Sequence, residues 1–424
     1  MNQLKSIQTS LLCIALLTSG WWATTSFADW PQILGPNRNG KVEDASHWLK
    51  DLPKEAPETL WELRVGEGYA GAAISQGQVA VFDHLDRKDR IRLISLLDGS
   101  VYWEQMLASG YQGGVNNDRG PRSVPTILPD ALLCYGASGQ LSCVERQDGK
   151  LRWTRPMRKE FNANDGYFGA GSTPLVIGDL AIVNVGGSKE GSVVAVRLSD
   201  GQTEWQTDGA EASYASPILW RMGDEKMVVV VTRMTTVGLN PENGEVLFDF
   251  KFGMRGPTVN AATPIQLSSG EVFLTSSYGI GASMIQPNSN PLSVLFRDKQ
   301  SLSSQYITPI EIDGRIYGCD GREDAGRTQL VCLDPASPET PLWIERISEI
   351  THLLGMGNRI LGIGINGKLT LFQADPSRYN PVAELDLPRG VYRALPAYSK
   401  GILLLRDSEE GSQHRLRAWN LNLD

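Results

Sequence analysis

Three residues before a recurring proline stand Arg122, Tyr214, Tyr306 and Arg393, with Tyr69 at the equivalent place in the first copy and Asn260 and Gln305 one residue further back. Guanidinium groups form forked bonds to anions, tyrosines offer a ring face and a hydroxyl, and amides supply donors and acceptors. Gathered in one place, these seven could hold an anionic or planar ligand. Their alternative role is to satisfy backbone groups and line a water-filled channel, which needs polar walls whatever it does. Other candidate chemistry is thin. Gly362-x-Gly364-x-x-Gly367 carries the letters of a dinucleotide fingerprint, yet Asn366-Gly367 reads as a hairpin turn with a strand after it, where the fingerprint needs a helix. His47, His84, His352 and His414 show no metal-ligand spacing and no motif linking them to a nucleophile.

The elements that must position the seven residues repeat along the chain. A short β-branched and aliphatic run begins at Gln78, Ala131, Asp179, Met227, Glu271, Arg315, Arg359 and Ile402, at intervals of 53, 48, 48, 44, 44, 44 and 43 residues. Turn residues such as Gly77, Asp130, Gly178 and Gly270 precede the runs and a second strand follows, so each copy contains a hairpin. Later in the copies, Asp98-Gly99, Asp148-Gly149, Asp200-Gly201 and Asn243-Gly244 each precede an aromatic four residues beyond the glycine: Trp103, Trp153, Trp205 and Phe248. Such dipeptides supply the positive φ of tight turns, and the aromatic can cover a strand edge or pack between sheets. The prolines at 125, 174, 217, 264, 309 and 396 suit strand starts, where a ladder donor can be spared.

Four short strands per copy, with no long amphipathic helical pattern, predict an all-β propeller of four-stranded antiparallel blades. Its last copy lacks a fourth strand, and Leu60 to Val65 resembles the missing one, so an N-terminal strand is expected to complete the last blade and hide both sheet edges. That gives eight blades. Seven is the alternative, because the region of His352 and Asn380 matches the pattern poorly.

Residues 1–28 read as a signal peptide: Lys5, an apolar run from Leu11 to Leu17, and Ser26-Phe27-Ala28 before Asp29. The apolar run is too short to span a bilayer, and Cys13 lacks the small residue that a lipobox places before its cysteine. The expected domains are therefore this peptide, an N-terminal extended segment at 29–58, and the propeller at 59–424. Export to the periplasm or beyond is expected, with no transmembrane segment in the mature chain. The net charge of −8 becomes −9 without the first 28 residues, which advertises no nucleic-acid face.

Export also makes disulfides possible for the remaining four cysteines. A two-residue turn at Ser138-Gly139 would set Cys134 opposite Cys143, and one at Ala325-Gly326 would set Cys319 opposite Cys332, both in bonding range. Two pairs of buried thiols are the alternative.

The stretch from Gly120 (GPRSVPT), Asp148-Gly149-Lys150 with Trp153, the run from Gly178 (GDLAIVNVGG) and the segment from Asn260 (NAATP) resemble those of bacterial propellers with quinoprotein-like repeats, the BamB-like family. The resemblance covers about residues 59 to 424. It implies the fold strongly and the function weakly, since the same superfamily holds quinoprotein alcohol dehydrogenases. Those enzymes hold pyrroloquinoline quinone (PQQ) with an adjacent Cys-Cys pair, and calcium with acidic and amide side chains. This chain has no adjacent cysteines and no Cys-x-x-Cys-His motif. Neither cofactor is expected. The expected function is a non-catalytic secreted or periplasmic scaffold binding an envelope protein or polymer, with a small ligand in the channel or a PQQ-dependent oxidoreductase as alternatives.

Overall fold

A computed structural model describes residues 29–422 apart from 56, 58, 165 and 409–412; the expected signal peptide lies outside the described residues. The chain forms eight four-stranded antiparallel sheets arranged as propeller blades. Blades 1 to 7 span residues 73–108, 126–156, 175–208, 218–251, 265–298, 310–347 and 351–386. Blade 8 joins residues 397–420 to the N-terminal strand Thr59–Arg64, which pairs antiparallel with Arg415–Asn420. The expected closure and the count of eight both hold. The poorly matching region is blade 7, complete with its outer strand Asn380–Asp386. Its glycine fingerprint is a hairpin, with Arg359–Gly364 pairing to Lys368–Gln373.

The prolines mark six of the eight inner strands, which begin at Thr126, Leu175, Ile218, Ile265, Ile310 and Ala397, each directly after one of them. These strands are two to five residues long, since only a short stretch of each blade faces the axis. The hydrophobic cores lie between blades. Phe82, Ile91 and Leu93 of blade 1 pack on Leu132, Cys134 and Val144 of blade 2, and Leu133, Leu141 and Cys143 on that sheet's other face meet Val183, Val194 and Val196 of blade 3.

The aromatic at fixed spacing is an interblade clamp. Trp61, Trp103, Trp153 and Trp205 lie over the turn glycines Gly99, Gly149, Gly201 and Gly244 of the following blade, whose φ angles are between 70° and 75°. Each indole Nε1 also donates to a carbonyl of that blade: Leu96, Arg146, Leu198 and Pro241 respectively, at 2.7 to 3.1 Å. A bare left-handed glycine is needed twice over, for the turn and for the indole.

Register corrects the cysteine pairs. The blade 2 hairpin turns through Gly136–Gln140 and sets Cys134 opposite Ser142 and Cys143 opposite Leu133. Slipping by one residue sends the two thiols to opposite faces of the sheet, toward blade 1 and blade 3. In blade 6 the loop is Glu323–Gly326, which sets Cys319 opposite Leu330 and Cys332 opposite Tyr317, two residues out of step. All four cysteines are free and buried.

Candidate functional site

The N-terminal segment crosses one end of the channel. Trp30 bridges Ile74 of blade 1, the Pro31 carbonyl accepts from Ile127 of blade 2, and Val42 donates to Gly355 of blade 7. Between Gln32 and Gly40 the segment turns back on itself in place of the extended run anticipated there, with Leu34, Gly35 and Arg38 at positive φ. Arg38 is buried, and its guanidinium donates to the carbonyls of Thr173, Pro174 and Pro217 and to Gln32 Oε1. Burial with no carboxylate among its partners pulls its pKa down to about 9. One arginine thereby ties the segment to blades 3 and 4.

The seven residues singled out from the sequence precede the inner strands, and they fall into separate clusters. Arg122 lies 5.6 Å from the Tyr69 ring centre and 5.3 Å from that of Tyr111, and pairs with Asp118 at 2.8 Å. Tyr214 and Asn260 meet between blades 4 and 5: the Asn260 carbonyl accepts from the Tyr214 amide, and Asn260 Nδ2 donates to the carbonyls of Thr232, Arg233 and Phe252. The Tyr214 hydroxyl accepts from the amides of Tyr167 and Phe168. Gln305, Tyr306 and Arg393 converge on Glu323. Tyr306 donates to Glu323 Oε1 at 2.9 Å, Arg393 Nε lies 3.0 Å from both carboxylate oxygens, and Gln305 Oε1 accepts from the Glu323 amide. Burial and the Glu323 charge push the Tyr306 hydroxyl well above its ordinary pKa.

The ring residues are thus largely committed to protein partners. Sequence reasoning missed the carboxylates that organise them, Asp118 and Glu323. Asp118 had a local signal, an acid four residues before Arg122. Glu323 had none, because Arg393 is 70 residues away in another blade. It also missed Asp83, which is buried in blade 1 and bonded by Arg90 and Arg92.

Among the described residues, no three His, Cys, Asp or Glu side chains are grouped so as to hold a metal ion. The acids that organise the ring, Asp118 and Glu323, are engaged by Arg122 and Arg393. No helix of the described residues is long and apolar enough to cross a membrane.

A family model described as outer membrane protein assembly factor BamB matches residues 48–207 and 87–345. The BamB of Moranella endobia (strain PCIT) is 24% identical over 237 residues, covering 53% of this chain and 56% of that protein. The BamB of Yersinia pestis is 23% identical over 246 residues, 56% of this chain and 54% of that protein. The chain spans about half the length of these curated relatives. Among solved structures, BamB from Moraxella catarrhalis superposes with a TM-score of 0.60 at 13% identity, over 86% of this chain and all of that one. A europium-containing methanol dehydrogenase superposes with a TM-score of 0.68 at 9% identity, over 93% and 98%. At such identities these two share the fold alone.

Proposed function

The chain belongs to the family of outer membrane protein assembly factor BamB, and from that membership we propose that it is a non-catalytic, exported propeller that binds a protein partner during outer-membrane assembly. The observation that carries this reading is the state of the channel. The N-terminal segment and Arg38 close one end, and the arginines and tyrosines at the inner-strand starts are held by Asp118, Glu323 and backbone groups. A channel built this way is a braced axle for the blades, which leaves the outer surface for recognition.

That surface has apolar positions to offer. Val246 and Leu247 of blade 4, Val294 and Leu295 of blade 5 and Ile344 of blade 6 are each about half exposed on consecutive outer strands. Apolar side chains grouped on a surface mark interaction sites more often than isolated ones do. The oxidoreductase reading is disfavoured by the chemistry of the donor set, whose acids are already paired.

Photo-crosslinking residues placed at Leu247 and Ile344 in cells test the reading. One discrete protein adduct is expected. No adduct at either position, together with a rise in melting temperature on adding pyrroloquinoline quinone and calcium, would overturn it; a ligand at 100 times its Kd stabilises by about 2.7 kcal/mol.

A further inference from the structure

Where blade 8 meets blade 1, a groove of about 990 Å³ is lined by Arg64, Glu67, Arg90, Arg92, Arg119 and His414, among others. Among the described residues, the charges around it do not balance. Asp83 serves both Arg90, through bonds of 3.0 and 2.7 Å, and Arg92, at 3.0 Å. Glu67 pairs with Arg119, and Glu104 lies 3.7 Å from Arg90. Asp118, also on the wall, is taken by Arg122. Behind the wall, buried Arg406 spends its bonds on the carbonyls of Gly66, Ala70 and Phe82. Arg64 has no ion pair among the described residues, and its cross-strand neighbour is another arginine, Arg415, which is paired with Glu62. Among the described residues, five arginines (Arg64, Arg90, Arg92, Arg119 and, behind the wall, Arg406) therefore face four carboxylates: Asp83, Glu67, Glu104 and Asp86.

Two observations separate this from an ordinary solvated face. Arg92 is only 4% exposed, and its Nε has no partner. Water cannot fully screen a positive charge so placed, and an oxyanion in the groove would meet that charge even though the enclosed Nε is out of its reach. Asp83 shows the field of the cluster: burial pushes it toward protonation, yet bonding from Arg90 and the charges of Arg92 and Arg406 hold its carboxyl below the ordinary value.

We propose that this groove is a binding site for an oxyanion, a phosphate or carboxylate group received by Arg64, Arg90 and Arg92. The proposal is independent of the scaffold reading, since an acidic ligand can dock here whatever the blades carry. Calorimetric titration of the intact folded protein with inorganic phosphate and, separately, with succinate, at constant ionic strength, tests it. Binding of either probe is expected, weakened about tenfold by Arg64→Gln, which removes one charge-assisted contact at an exposed position and leaves the fold intact. Which probe binds more tightly identifies the tetrahedral or the planar anion. Glu409 and Glu410, outside the described residues, follow groove residue Ser408 in the sequence, and Glu409→Gln with Glu410→Gln should bind at least as tightly as the parent. Heats of neither probe, equal affinity in Arg64→Gln, or loss of binding in the double glutamine variant would each overturn the assignment.

Discussion

The indole of Trp153 in blade 2 lies over Gly201 in blade 3, and its Nε1 donates to the Leu198 carbonyl at 2.7 Å. A Cβ built on Gly201 would stand 2.8 Å from Trp153 Cδ2, with φ at +75°. Gly201→Ala should therefore lose about 2 kcal/mol or more, from left-handed strain and displaced packing together. Gly77→Ala, at φ +74° with nothing within 4 Å of the new Cβ, should lose only the strain, about 1 kcal/mol. Urea melts of the two variants measure the clamp by difference. Equal losses would show that the indole yields freely.

His352 is buried, and burial drives its pKa down to about 4, against weaker opposing interactions from the backbone at Tyr392 and Arg393. The unfolded chain binds its proton near pH 6.5, so between pH 6.5 and 4 the unfolded state holds more protons and stability falls with acidity. Above pH 6.5 both states are neutral and the residue contributes no slope. The expected loss from this group is about 2 kcal/mol between pH 8 and pH 5. His352→Phe should flatten that part of the pH dependence. An unchanged slope in the variant would assign the acid sensitivity elsewhere.

Arg38 holds the N-terminal segment to blades 3 and 4 through three backbone carbonyls. Arg38→Met keeps the volume and removes every donor, leaving those carbonyls buried and unmet. The cost should be about 2 to 4 kcal/mol, as hydrogen bonds from a charged group are worth more than neutral ones. Limited proteolysis should then cut the 29–44 region before the blades. Resistance equal to the parent would show that Trp30 and Val42 suffice to seat the segment.

Blade architecture was legible because it is written locally. Asp-Gly turns, alternating strands and the proline before six of the eight inner strands all fall within one copy, and even the swapped strand at Leu60 to Val65 resembled what it replaced. The site was legible only as residue types. Arg393 and Glu323 meet across 70 residues, and Asp83 and Arg406 across blades 1 and 8, so nothing in local spacing announces them. The cysteine pairs failed on loop length: one residue in blade 2, which turns the two thiols to opposite faces, and two in blade 6, which keeps them on one face but out of step.

That error makes a chemical prediction. Burial pushes the thiols of Cys143, Cys319 and Cys332 up to about 11, 12 and 11, and raises that of Cys134 well above its ordinary value. At pH 8 these groups are protonated, inaccessible and slow to react. The folded protein should take up almost no alkylating reagent, and the unreduced, denatured protein without residues 1–28 should take up four equivalents. Two equivalents or none in the denatured sample would restore one or both disulfides.

Glu323 joins Tyr306 of blade 6 to Arg393 of blade 8 across the channel mouth. Arg393 is partly exposed, so its ion pair is worth about 0 to 1 kcal/mol. Tyr306 is more enclosed, and stripping its acceptor should cost about 1 to 3 kcal/mol. Glu323→Ala should thus destabilise more than Tyr306→Phe, which leaves the carboxylate with Arg393. The double variant should lose less than the two losses added, because the second change removes a partner already gone. Full additivity would mean that the hydroxyl and the carboxylate do not depend on each other, and the mouth would then be a set of independent polar groups without a hub.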